Sequence, residues 1–152
     1  MKDTMVSETN RRVSELVIVD ALQKHIVESG IGNVRREFQV AERSADLAWI
    51  DDHTGELCAA EAKVADVARA FRQAERYLLF ADRVYVVLLR NSSNGAARRL
   101  SQALGIGLIL VSVTSSDVAS ARVELAVEAC ASVRKLTALS RMARIQWGSD
   151  HV

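Results

Sequence analysis

Two short runs constrain this chain most: RVYVVLL at 83–89 and IGLILVSV at 106–113. Each is too short for a helix, rich in β-branched residues and apolar at consecutive positions, as in a strand buried on both faces. Between them NGAARRLSQALG has helical spacing and closes on a glycine. A strand, helix, strand succession of this kind predicts an α/β fold, with a central sheet flanked by helices.

The rest of the chain extends that pattern. From Ser7 or Thr9, either able to cap, the spacing predicts a helix to about Ser29, ended by Gly30 and Gly32. Residues 34–64 fall into period-two pieces broken at Ser44 and at DDHTGE, which predicts three antiparallel strands. Asp66 is placed to cap a further helix running to about Ala81. From about residue 117 to 146 the pattern is again helical, with Val133, Leu136, Leu139, Met142 and Ile145 forming an apolar stripe. That stripe would either close the core or receive a second subunit in a homodimer, core packing being the expectation.

With no proline, no low-complexity segment and no repeat, the 152 residues predict one domain, 1–152, with a core at about 7–114 and a C-terminal helical extension at about 117–146. A chain of this size buries roughly 70% of its unfolded surface, enough for a full core and one site. Twenty basic against nineteen acidic residues leave a net charge of +1, so any basic footprint must be local. Cys58 and Cys130 are too few and too badly spaced for a disulfide framework or a zinc site, and are expected in the core of a reduced, cytoplasmic protein. No apolar run reaches the roughly 18 residues of a membrane span. His25, His53 and His151 stand in no evident arrangement with a nucleophile, and no phosphate-cradling glycine motif occurs.

The chemistry concentrates in RSADLAWIDD and GELCAAEAKV. A hairpin whose polar turn is centred between His53 and Thr54 puts Asp46 across from Glu61, with Cβ atoms about 5 Å apart, and Lys63 on the same face. Two opposed carboxylates repel by up to about 1 kcal/mol, and more where solvent is excluded. A divalent cation offsets this naturally, since Mg²⁺ favours one or two carboxylates with waters and phosphate oxygens. The bland alternative is an exposed edge hairpin carrying ordinary surface charges; Cys58, Ala60 and Ala62 argue for a covered strand. In the helix that follows, Val67, Ala70, Phe71, Ala74, Leu78 and Ala81 form the core stripe, Gln73 and Tyr77 lie beside it, and Arg69, Arg72 and Arg76 come next around. The arginines are either a solvated face or contacts to a phosphate backbone.

Asp46, then Glu61-Ala-Lys63, then Gln73-x-x-x-Tyr77 resemble the PD-(D/E)XK nuclease superfamily, the restriction-endonuclease-like fold, in its branch with a Q-x-x-x-Y motif. The resemblance covers about residues 7–114, and it departs in having Ala45 where many members carry proline. The order read from the residues, α-β-β-β-α-β-α-β followed by a C-terminal helix, contains the α-β-β-β-α-β core of that family. The resemblance implies Mg²⁺, with Mn²⁺ able to substitute, held by Asp46 and Glu61 and by a third acid from the first helix, for which Glu15 is the candidate. It further implies that Lys63 assists attack by water on a phosphodiester and that Gln73 places substrate or lysine. Arg69, Arg72, Arg76 and Tyr77 would contact nucleic acid, with Arg35, Arg36 and Arg43 extending that surface. The expected function is therefore a Mg²⁺-dependent nuclease, an endonuclease acting on DNA in a structure-selective, repair or recombination role. The alternative is a non-catalytic nucleic-acid-binding or assembly module on the same fold.

Overall fold

The chain forms six strands and four helices in a computed structural model that describes residues 2–91, 94–113 and 120–149, with side chains from residue 15 onward. The order is α1 (Lys2–Glu28), β1 (Val34–Val40), β2 (Arg43–Ile50), β3 (Leu57–Lys63), α2 (Val67–Tyr77), β4 (Arg83–Leu89), α3 (Gly95–Leu104), β5 (Gly107–Ser112), β6 (Arg122–Val127) and α4 (Thr137–Ser149). One mixed sheet contains all six strands in sequential order. The first three strands pair antiparallel, β3, β4 and β5 run parallel, and β6 returns antiparallel beside β5. Parallel neighbours need a crossover, and α2 and α3 provide the two required here.

Strand β3, with β4 and β5, is buried on both faces, as a covered sheet demands. One face carries Phe38, Leu57, Val86 and Leu110, packed with Phe71 of α2, Phe80 after it, Ala97 of α3 and Trp147 of α4. The other carries Leu47, Trp49, Ala60, Tyr85 and Ile109 under Ile18, Leu22 and Ile26 of α1. Gly32 lets the linker from α1 press onto the end of β2, because a Cβ there would lie 2.1 Å from the carbonyl oxygen of Ile50. The β2–β3 hairpin closes as the polar turn predicts: Asp51 accepts the amides of His53 and Thr54 at 2.8 and 3.2 Å. Its register pairs Leu47 with Ala60, Ala48 with Ala59 and Trp49 with Cys58, the register the turn centre requires.

Several expectations are corrected. The first helix starts at Lys2, ahead of Ser7 and Thr9, and the break between β1 and β2 falls at Ala41, in the left-handed region at φ 55°, ahead of Ser44. The helix expected over 117–146 is confined to Thr137–Ser149, and Arg122–Val127 is a sixth strand; residues 117–119 lie outside the described set. The physical reason is pairing: the edge of β5 takes residues 122–127 as an antiparallel strand, with one register shift between Leu108 and Ile109. Of the apolar stripe only Leu139 packs against the core among the described residues; Val133 is 96% and Ile145 69% exposed, and Leu136 and Met142 are exposed too. Ala143 and Trp147 face inward instead, Trp147 edge-on to Phe38 at 5.7 Å. Cys58 is buried as expected, whereas Cys130 is exposed. No helix among the described residues is long and apolar enough to cross a membrane.

Candidate functional site

The β2–β3 ladder stops one pair short of Asp46 and Glu61. On its other side β2 pairs Arg36 with Leu47 and Phe38 with Ala45, bracketing Glu37 and Asp46 without joining them. Glu37 sits in the left-handed region at φ 49°, and the alternation of β2 breaks there: Leu47 faces α1, but Ala45 and Ala48 both face the other layer. Irregularities of this kind re-aim a side chain. Here the Asp46 carboxylate turns into the gap and accepts the Ala62 N–H at 2.8 Å, replacing the missing ladder bond.

Glu61 is only 5% exposed. Its Oε1 accepts from the Tyr77 hydroxyl at 2.5 Å, and that hydroxyl also lies 2.7 Å from the Ser44 carbonyl. Burial pushes the Glu61 carboxyl up to about 7, with the Asp46 charge adding to the rise and Tyr77 and Lys63 opposing it. Burial also raises Asp46, against the Ala62 amide, the Glu61 carboxyl and Lys63. The two carboxyls act on each other, the Asp46 charge raising Glu61 while the Glu61 carboxyl holds Asp46 down, and Tyr77 anchors Glu61 Oε1. The tyrosine's own pKa is driven upward by burial and by Glu61.

Asp46, Glu61 and Lys63 lie near one another, Lys63 acting on both carboxyls, with Asp46 beyond the last ladder pair. Glu15 stands near, its charge raising Asp46 and its Oε1 facing the Val64 amide at 3.4 Å, but among the described residues no three His, Cys, Asp or Glu side chains cluster closely enough to hold a metal ion. Gln73 Oε1 is buried without a hydrogen-bond partner, as is Arg43 Nε. Arg69, Arg72 and Arg76 are all exposed along α2. Tyr77 is buried in the core layer with its hydroxyl at the carboxylates, while the neighbouring Arg76 is exposed. Arg36 is engaged by Asp20 and by Gln23, the latter at 2.7 Å, and Arg35 lies over the Trp147 ring at 4.6 Å. Ser44, whose carbonyl helps hold Tyr77, carries no sequence signal, because a backbone acceptor is indifferent to side-chain identity. A shallow depression of about 260 Å³ opens on the α1 side of Asp46, lined also by Glu15, Val19 and Glu37. The largest depressions lie elsewhere, so the case for this site rests on its charges and not on its volume.

The donor set fits a hard divalent cation. It consists of carboxylate oxygens with no sulfur or imidazole, and the burial that raises both acids is the cost a cation would offset. Two carboxylates suffice for Mg²⁺, which keeps several waters.

The fold has a solved counterpart. It is similar to the SPO1766 protein of unknown function from Silicibacter pomeroyi, with a TM-score of 0.61 and 16% identity, covering 88% of this chain and 83% of that one. The two share a fold. Pyrococcus furiosus SfsA, solved in complex with Ca²⁺, matches at a TM-score of 0.37 and 12% identity over 72% of this chain and 59% of its own, too loose a superposition to carry chemistry across. No family model and no curated protein matches the sequence.

Proposed function

We propose that this chain is a metal-dependent nuclease that hydrolyses phosphodiester bonds, with DNA as the substrate and a structure-selective repair or recombination role. The observation that supports this reading is the meeting of Asp46 with the buried Glu61 beside Lys63, at a break in the sheet where the Asp46 carboxylate takes the Ala62 amide. A divalent ion bound by Asp46 and Glu61 supplies Lewis acidity to the phosphoryl oxygen and to the attacking water.

The chain's own residues do the rest. Tyr77 holds one oxygen of Glu61, which fixes how that carboxylate faces the gap. Lys63 places a cation beside both acids, where it orients water or stabilises charge developing on the phosphate. Gln73 Oε1 is an acceptor awaiting a donor, suited to position the lysine or the substrate. The exposed Arg69, Arg72 and Arg76 would hold the backbone, which positions a nucleic acid without reading its sequence.

One observation favours a non-catalytic binding or assembly module instead: the Ala62 amide and the Tyr77 hydroxyl already hold an oxygen of each acid without any ion. Cleavage of single-stranded, duplex, flapped and four-way DNA with Mg²⁺ or Mn²⁺ separates the two. The expected result is activity that falls by about 100-fold or more in both Lys63→Ala and Glu61→Gln, with folding intact. Absence of cleavage on every substrate, together with no ion binding in calorimetry, would establish the binding module.

A further inference from the structure

A cavity of about 410 Å³ lies on the α1 face, at the end of the sheet away from Asp46 and Glu61. That volume is within the range of small-molecule sites, roughly 300–1,000 Å³. Its floor is apolar, built by Ile26, Trp49, Ile109 and Val123, with Leu125 of β6 as an open wall. Trp49 and Tyr85 stack with centroids 5.7 Å apart, so the floor is a rigid aromatic surface. Gly107 makes this possible, since a Cβ there would stand 2.4 Å from the Tyr85 ring. Cys58 adds a neutral wall, its thiol pushed up to about 12 by burial and neighbouring acids. Leu125 is 52% exposed, so this wall is left open where a packed layer would have closed it.

The rim gives the site its sign. Asp51, Glu56 and Glu128 stand around it against the guanidinium of Arg83 and the imidazole of His25. Arg83 is already taken up by Glu56 at 3.0 Å and by the Ala129 carbonyl, which cancels one acid. Asp51 and Glu128 accept only neutral donors, the amides of His53 and Thr54 for one and the Tyr85 hydroxyl, at 2.7 Å, and the Ala129 amide for the other. Two carboxylates therefore border an apolar, aromatic-floored cavity, neither of them in an ion pair among the described residues, although the Arg83 charge acts on Glu128.

We propose that this cavity binds a small organic cation, a primary amine on an aromatic or branched aliphatic body. The body displaces water from the Trp49 floor and the Leu125 wall, and the ammonium pairs with Asp51 and Glu128 at the rim. The site is independent of the nuclease reading, since none of its residues touches the Asp46 and Glu61 pair.

The test uses the full chain and three isosteric probes, tryptamine, tryptophol and indole-3-acetate, titrated against its ¹H–¹⁵N spectrum. Tryptamine is expected to move the amides of Cys58, Arg83, Tyr85 and Leu125, and to bind at least about tenfold more tightly than tryptophol, the effect of one charge-assisted hydrogen bond. Indole-3-acetate should bind most weakly. Asp51→Asn with Glu128→Gln, which keeps every acceptor oxygen used in the fold, should bring tryptamine to the tryptophol level. The proposal is overturned if the acid binds as well as the amine, if the double variant leaves the preference intact, or if no cavity amide moves up to the solubility limit of all three probes.

Discussion

The most informative residue is Tyr77. Sequence spacing places it beside Gln73 at the border of a helix, where a tyrosine would reach out to a ligand; it is instead buried, with its hydroxyl holding Glu61 at 2.5 Å. The consequence is a pH dependence with a definite sign. Glu61 binds a proton more tightly folded than unfolded, its pKa rising from 4.5 to about 7. Stability contributed by that proton is fully present below the unfolded value and is lost as pH rises through the folded one. Asp82 has the opposite sign: Lys135, the Leu57 amide and Arg144 hold its carboxyl below its ordinary value, so its contribution is lost only in acid, below about pH 4. Without added metal, urea stability should therefore fall between about pH 4.5 and 7, and Glu61→Gln, which mimics the protonated acid, should flatten that slope. Tyr77→Phe removes a bond that favours the carboxylate and should move the Glu61 titration, followed by ¹³C NMR, above its wild-type position. An unchanged slope in Glu61→Gln would assign the dependence to other groups.

At the scale of elements, α2 shows how far local signals reach. Asp66 caps it as its position predicts, its side chain accepting the Arg69 amide at 3.2 Å, and Ala70, Phe71 and Ala74 make the core stripe. Asp66 itself sits at φ 60°, which Asn and Asp tolerate better than Ala. Asp66→Ala should cost about 1–2 kcal/mol by urea denaturation, losing the cap and adding backbone strain, while Asp66→Asn should be nearly neutral. The C-terminal segment shows where such signals fail. Its apolar spacing is real, but the residues that dock α4 are Ala143 and Trp147, with Arg144 reaching Asp82 at 2.8 Å. Trp147→Ala should cost about 3–5 kcal/mol and loosen α4 from β1. Ile145→Ala, on the exposed stripe, should change stability by no more than about 0.5 kcal/mol, unless a second copy covers it. Thermal unfolding of the two variants at several protein concentrations checks both statements.

For the whole molecule, the sequence by itself determined the kind of fold and the hairpin register. Short consecutive apolar runs at 83–89 and 106–113 admit only strands covered on both faces, and the turn at Asp51–Glu56 leaves one register that keeps Leu57 and Ala59 on one face with Cys58 and Ala60 on the other. Those signals are local: each is a matter of side-chain period or turn chemistry within a few residues. The tertiary structure decided the rest. Whether residues 122–127 became helix or strand depended on the free edge of β5, which no local window contains. The left-handed turn at Glu37 breaks the alternation at Asp46, and the Asp46 carboxylate enters the ladder in place of a backbone group. Placing Tyr77 against Glu61 and Ser44 required α2 to pack across β2 and β3. The nearness of the two acids can be inferred from register, but their burial, their raised pKa values and the groups that hold them are properties of packing between elements distant in the chain, where the low dielectric of the interior sets the chemistry.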